Sequence, residues 1–230
     1  MSLRNPKQEG TNVFDCRVQT GKCPINCNQC FYNRENAYYS DINQPDIPSI
    51  EEVGDNGIVR MNCGHDSNIE REKCIETAQK YKHYFFGTSI PNFDFPGPVV
   101  FTANRDEEEL IPFLDVPKNM MFIRLRVSST NLHLIKKAVA YYSKYVPVIL
   151  TFMAYYTEPP EKENYEWRVR HINSYWCAKK DFIVNVVDEM KAIGGRMVAL
   201  CGAIDHNYCI SCKNCETYYW QTIKHMKETK

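Results

Sequence analysis

Short apolar runs alternate with helix-like segments along most of the chain, and this alternation constrains the fold more than any other feature. Seven runs read as strands, and they cover residues 13–18, 58–63, 83–88, 99–102, 121–127, 146–152 and 197–201. Helical spacing is found over residues 68–81, 131–145 and 174–193. Strands that alternate with helices predict parallel βαβ units. We therefore expect an α/β fold, a partial (β/α)6-type open barrel over residues 1–200, with a short cysteine-rich C-terminal extension over residues 201–230 that caps it.

Several local signals refine this prediction. Residues 89–98 are rich in proline and glycine, so we expect a loop rather than a helix between the third and fourth strands. Ser129 or Thr130 is placed to cap the helix over residues 131–145. Aromatic and basic residues interleave over residues 165–176, which we interpret as a solvated connection.

The overall composition excludes some classes of protein. Among the 230 residues, 28 are lysine or arginine and 28 are aspartate or glutamate, and this balance argues against a nucleic-acid partner. The longest apolar stretch, residues 146–156, is interrupted by Pro147 and Thr151 and falls short of the ~20 residues that span a bilayer. The polar N-terminus does not read as a signal peptide, so we expect a cytoplasmic protein whose 11 cysteines serve mostly as metal ligands.

Three cysteines follow the first predicted strand with the spacing C-x3-C-x2-C. They are Cys23, Cys27 and Cys30. Three thiolates on one loop can bind three irons of a four-iron cluster and leave the fourth iron open for chemistry. Two alternatives are a structural zinc site with Cys16 as the fourth ligand, and a group of buried or redox-active thiols.

This motif, together with the predicted partial barrel, resembles the radical S-adenosylmethionine (radical SAM) superfamily. The resemblance implies that Cys23, Cys27 and Cys30 are the catalytic ligands of a [4Fe–4S] cluster whose open iron binds SAM. It implies reductive cleavage of SAM to a 5′-deoxyadenosyl radical, which abstracts hydrogen from an unidentified small-molecule, peptide or nucleotide substrate. It also implies an electron donor such as flavodoxin or ferredoxin.

Further SAM contacts are implied by position. The residue before the third cysteine is often aromatic in the family and is Gln29 here. Gly64, flanked by Cys63 and His65, stands after the second strand, where the family has a glycine-rich motif. Ser128 and Asn131 follow the fifth strand and carry groups that suit ribose or carboxylate contacts, although helix capping is an equally good interpretation of both.

A second group of cysteines lies near the C-terminus. Cys209, Cys212 and Cys215 have C-x2-C-x2-C spacing, and Cys201 at the end of the last strand can supply a fourth thiolate. We interpret the group as an auxiliary four-iron cluster. Zinc bound by four thiolates is the alternative, and Asp205 or His206 could also contribute.

Three other functions are compatible with parts of the sequence. The first is an activating enzyme that installs a glycyl radical on a partner protein. The second is a non-enzymatic zinc or iron–sulfur binding module. The third is an electron carrier with two clusters, which would not need an open iron.

Overall fold

The computed structural model describes residues 4–34, 40–106, 108–169, 174–206 and 208–228. Within them, strands and helices alternate along the chain. The strands are β1 (Val13–Cys16), β2 (Ile58–Met61), β3 (Tyr84–Thr88), β4 (Val99–Thr102), β5 (Met120–Val127), β6 (Val148–Phe152), β7 (Ala154–Tyr155), β8 (Tyr165–Arg168), β9 (Tyr175–Ala178) and β10 (Val198–Leu200). The α-helices are α1 (Ile50–Val53), α2 (Arg71–Ala78), α3 (Leu132–Tyr142), α4 (Lys180–Gly194), α5 (Cys209–Cys212) and α6 (Asn214–Glu228).

Seven strands form one parallel sheet that curls into a half-barrel. Their order is β1-β2-β3-β4-β5-β6-β10, and each neighbouring pair is parallel. This confirms the predicted α/β class and the partial open barrel. Because all strands run the same way, the loops that follow them gather at one edge of the sheet, where α/β barrels carry their chemistry.

The local predictions are confirmed except in three places. All seven predicted strands are present with small differences at their ends, and residues 89–98 contain no helix. The prediction that a helix begins at residue 174 is wrong, because Tyr175–Ala178 form β9 and α4 begins at Lys180. The helix-cap prediction is also wrong: Asn131 occupies the N-cap position of α3, and its side chain makes no capping hydrogen bond.

The third error concerns residues 165–176, for which the prediction of a solvated connection is wrong. β7, β9 and β8 form a small antiparallel sheet in that order, and both β8 and β9 come from this segment. Trp167 and Trp176 contact each other across the two strands with ring centroids 5.4 Å apart. Aromatic residues favour strands through such cross-strand pairs, and that preference prevails here over the polar residues between them.

Side chains alternate between the two faces of the half-barrel. The outer face is fully apolar and lies under α2, α3 and α4, with Val59, Met61, Phe86, Ile123, Leu125 and Leu150 all at most 1% exposed. On the inner face an apolar row comes from the N-terminal halves of the strands and comprises Val13, Ile58, Phe85, Val100, Phe122 and Ile149. Helix α6 covers this row with Tyr218, Tyr219 and Ile223. The C-terminal segment therefore covers part of the inner face.

No helix in the described part of the chain is long and apolar enough to cross a bilayer.

Candidate metal centres

The first cysteine group lies on a loop made of two successive turns directly after β1. The amide of Asn26 donates to the carbonyl of Cys23, and the amide of Cys30 donates to the carbonyl of Cys27, both at 3.2 Å. Asn26 (φ 49°) and Gln29 (φ 53°), the residues before the second and third cysteines, are left-handed. Each turn therefore reverses the chain just before the next thiol.

The three thiols are close enough to influence one another electrostatically. Burial raises the pKa of Cys27 to about 11, with a further contribution from Cys30 and Cys23, while Arg126 opposes the rise. Burial likewise raises the pKa of Cys23. A bound metal would overcome these shifts, because thiolates coordinated to a cation are deprotonated.

Gly64 and His65, which follow β2, pack against residues that flank the first cysteine group. His65 makes a 3.0 Å hydrogen bond between its Nε2 and the carbonyl of Gly21, and its ring lies edge-on to Tyr32 with centroids 4.9 Å apart. Burial lowers the pKa of His65. A Cβ at Gly64 would lie 2.3 Å from Tyr32 Cδ2, so the absence of a side chain at this position lets Tyr32 pack beneath the cysteines. Gly64 and His65 thus have a structural role in addition to their predicted contact with SAM.

Arg126, which the sequence analysis did not single out, joins the first cysteine loop to the inner face of β5. Its guanidinium donates to the carbonyls of Asn28 and Arg105. The amide of Asn28 donates to Asp106 Oδ1 at 3.2 Å. The available signal was the pair of arginines that interrupts the apolar run of β5 at alternate positions.

Two of the predicted SAM contacts use their polar groups within their own loop. The Oδ1 of Asn131 accepts from the amide of Ser128 at 2.9 Å, and its Nδ2 donates to the carbonyl of Arg126 at 2.9 Å. Ser128 and Asn131 are both buried. This geometry favours a structural role for the pair within the loop between β5 and α3, although neither side chain caps the helix. Gln29 accepts a 3.0 Å hydrogen bond from Arg34 Nη2.

Cys63 lies beside an ion pair on the inner face. Arg60 binds both carboxylate oxygens of Asp15, at 2.7 and 2.9 Å, and its Nη2 is 3.1 Å from Cys63 Sγ. Burial acts to raise the pKa of Asp15, but the guanidinium of Arg60 outweighs it and holds that pKa below its usual value. The predicted role of Cys63 near a cofactor stays a prediction.

Cys16 does not join the first cysteine group. It is fully buried in the outer core with Val59, Met61 and Cys74. Because side chains alternate along a strand, Cys16 on β1 faces the outer side of the sheet. The structure therefore contradicts the alternative in which Cys16 completes a zinc site with the three loop cysteines.

The second cysteine group surrounds one cavity on the inner face. All four cysteines line it, and so do Arg60 and Arg124. Cys201 follows β10, and its amide donates to the carbonyl of Leu150 at 2.8 Å. Cys209 and Cys212 lie on the single turn of α5, and the left-handed Lys213 (φ 49°) then reverses the chain into α6, which carries Cys215.

Two arginines affect the thiols of the second cysteine group, and a hydrogen bond fixes the helix that carries one of these thiols. Burial raises the pKa of Cys215 to about 12, while Arg60 and Arg124 act in the opposite direction. Asn214 Nδ2 donates to the carbonyl of Leu200 at 2.8 Å, which ties the start of α6 to the end of β10. The other two residues considered as ligands do not line the cavity. Asp205 instead pairs with Lys180 at 3.1 Å, and His206 lies 3.5 Å from Ser211 Oγ.

The donor sets of the two groups are purely thiol, which suits iron–sulfur clusters and zinc. Among the described residues, no three histidine, cysteine, aspartate or glutamate side chains converge on one point as they would around a single ion. Thiolates of a four-iron cluster bind different irons and need not converge in this way. Comparisons of the chain with protein-family models, with curated proteins and with solved structures find no match.

Proposed function

We propose that the protein is a radical SAM enzyme in which Cys23, Cys27 and Cys30 bind a catalytic [4Fe–4S] cluster. The observation that carries the proposal is the position of these cysteines, on one loop of two turns at the carboxyl ends of the strands in a parallel half-barrel. Because Cys16 faces the outer core, the cysteine nearest in sequence does not complete the set, which supports an open fourth iron.

Cys23, Cys27 and Cys30 would hold the cluster, which when bound and reduced would supply the one electron needed for cleavage of SAM to methionine and a 5′-deoxyadenosyl radical, and this radical would take a hydrogen atom from the substrate. The residues of the chain hold and orient this site. Arg126 and Asp106 fix the cysteine loop against the inner face through the backbone of Asn28. Tyr32, which is fully buried, excludes water beneath the loop. A flavodoxin or ferredoxin is the expected electron donor.

For the second cysteine group we propose an auxiliary four-iron cluster, with zinc as the alternative. Four thiols around one cavity can ligate a cluster completely, which is the arrangement of clusters that carry electrons. Iron and zinc analysis separates the two. Two clusters require about eight irons per chain, whereas one cluster with zinc requires about four irons and one zinc.

The deciding experiment is anaerobic reconstitution followed by analysis of iron, sulfide and zinc, with 5′-deoxyadenosine measured by chromatography after addition of SAM and dithionite. We expect 5′-deoxyadenosine from the wild type and none from Cys27→Ala. Cys177→Ala is the matched control, because it removes a cysteine that lies in the small antiparallel sheet and belongs to neither cysteine group. Iron without 5′-deoxyadenosine would favour the electron carrier, and zinc without iron would favour the binding module.

The glycyl-radical activating enzyme is a narrower version of the same proposal. It would show SAM cleavage that depends on Cys27 and, in addition, a radical on a partner protein. An electron paramagnetic resonance signal on such a partner would distinguish it from an enzyme that acts on a small molecule.

A further inference from the structure

The inner face of the half-barrel carries a second row of residues just beyond the apolar row under α6. Strand alternation places these residues two positions after the apolar ones. The row comprises Arg60, Gly87, Thr102, Arg124 and Thr151. It is staggered across the sheet, because Thr102 lies opposite Arg124 while Thr151 lies one inward-facing position further along, opposite Arg126. All five are partly exposed, whereas the residues that precede them, on the outer face, are at most 1% exposed: Val59, Phe86, Phe101, Ile123 and Leu150. Solvent therefore reaches the middle of the sheet from the inner side.

This row leaves room and polar groups for a ligand. A Cβ at Gly87 would meet no atom within 4 Å, so the inner face is open over β3, two strands from Arg124. Thr151 Oγ1 is buried and has no hydrogen-bond partner among the described residues. A buried hydroxyl without a partner is costly, and ligands or water commonly satisfy such groups.

The charges of the row are unequally compensated. Arg60 is neutralised by Asp15 at 2.7 Å. No hydrogen bond or ion pair within the described residues reaches the guanidinium of Arg124, which lies 5.9 Å from the ring centroid of Phe122. Lys213 lines the same cavity, but it is exposed to solvent. Glu216 also lines the cavity, but its carboxylate accepts a hydrogen bond from Asn12 and forms no ion pair with Arg124. Arg124 is thus a half-buried cation that is not paired with a carboxylate in the described structure.

We propose that this row binds an anionic group of the substrate, a carboxylate or a phosphate, through the guanidinium of Arg124 and the hydroxyl of Thr151. A planar guanidinium matches both oxyanions with two parallel hydrogen bonds. At one end of the proposed site Arg124 lines the cavity of the second cysteine group, and at the other Thr151 lies opposite Arg126, which holds the first cysteine loop. An anchor there would hold a substrate near both centres. That the ligand is the substrate rests on the proposed function.

The competing explanation is that Arg124 only compensates the thiolates of the second group. Arg124 does act on the pKa of Cys215, so part of its charge serves that site. The two explanations differ in whether a free oxyanion binds. Thiolate compensation alone predicts no saturable binding of small anions that depends on both Arg124 and Thr151.

The test is calorimetric titration of the anaerobically reconstituted protein with inorganic phosphate and, separately, with acetate, at ionic strength held constant with potassium chloride. We expect saturable binding of one or both anions, weakened about tenfold or more in Arg124→Gln. Arg196→Gln is the matched control, because it removes an exposed guanidinium that does not line the cavity, and it should bind as the wild type does. Phosphate binding alone would indicate a phosphorylated substrate, and acetate binding alone a carboxylate.

Thr151→Val provides a second variant if Arg124→Gln does not fold, because it removes the hydroxyl at nearly constant shape. It should also weaken binding. Absence of saturable binding of both anions, equal binding by wild type and both variants, or an equal loss in Arg196→Gln would overturn the proposal. The titration needs neither SAM nor reductant, so its failure is separate from an absence of 5′-deoxyadenosine.

Discussion

At the level of single residues, the first cysteine loop depends on the missing side chain of Gly64. Its φ of +94° is strained for other residues, and an added Cβ would lie 2.3 Å from the buried ring of Tyr32. We expect Gly64→Ala to lower the free energy of unfolding by about 2–4 kcal/mol, as backbone strain and overpacking combine. Denaturant titration of the metal-free protein measures the change.

The matched control for that substitution is Gly21→Ala. Gly21 also has a positive φ of +74°, but a Cβ added there would meet no atom within 4 Å, so only backbone strain applies. It should cost about 1–2 kcal/mol. Equal losses in the two variants would show that Tyr32 moves away without cost and that Gly64 is not needed to seat it.

Cys74, a buried cysteine of the outer core, gives the protein a pH dependence that is separate from metal binding. Burial raises its pKa from 9.0 to about 12. Above pH 9 the thiol ionises in the unfolded chain but stays protonated in the folded one, so stability falls as pH rises from about 9 to about 12. The contribution approaches about 1.4 kcal/mol per pH unit within this range.

The Cys74 contribution is measured as a difference, because tyrosines and lysines also titrate at high pH. Unfolding free energies of the metal-free wild type and Cys74→Ala are compared between pH 8.5 and about 10.5. The variant loses stability from the cavity at every pH, but its slope should be shallower. Parallel slopes would mean that Cys74 ionises as readily in the folded protein as in the unfolded chain.

At the level of elements, helix α6 links the inner core to the second cysteine group. Tyr219 is 2% exposed and packs in the cluster that contains Val13, Phe122 and Ile149, and Cys215 lies one turn before it. We expect Tyr219→Ala to destabilise the protein by about 3 kcal/mol and to reduce metal occupancy at the second site first. Trp220→Ala, at a residue that is 42% exposed, is the control on the same helix.

Metal analysis of the reconstituted variants checks this expectation. A selective loss at the second site would show that packing of α6 and metal binding support each other. If Tyr219→Ala retained full metal at that site, the four thiols would be held together without the helix.

Strands and helices were predictable from the sequence where the apolar residues of a segment followed one clear periodicity. The strands of the main sheet were found because each carries apolar residues on its outer face. On β2 these residues are Val59 and Met61. β9 was missed because it leads directly into α4 and its four residues extend the helical pattern of that segment. Its pairing with β7 and β8 depends on contacts that no local pattern encodes.

At the scale of the whole molecule, the cysteine spacings indicated which thiols group together, but the charged partners of those groups were not predictable. Arg60 lies far in sequence from the four cysteines whose cavity it lines. It reaches them because the sheet places β2 and the C-terminal segment on the same inner face. The N-terminal segment joins them, since Asn12 donates to Glu216 at 2.9 Å. Such long-range convergence follows from topology, which the spacing of residues does not record.

This convergence leads to a prediction about the whole chain. The second cysteine group joins β10, α5 and α6, so its metal should hold the C-terminal segment against the inner face. In Cys212→Ala, we expect amide hydrogen exchange over residues 214–228 and in β5 to become about tenfold faster or more, which corresponds to about 1.4 kcal/mol of local opening. Mass spectrometry of peptides from the reconstituted protein measures it.

Cys27→Ala is the comparison, because it removes a thiol of the first group, on the loop after β1. It should accelerate exchange in the cysteine loop after β1 and leave α6 protected, since α6 is held by Tyr219 and Asn214 and, under the proposed function, by a metal centre that this variant leaves intact. If Cys212→Ala left α6 and β5 unchanged, apolar packing alone would hold the helix. The second centre would then serve chemistry or electron transfer without a structural role.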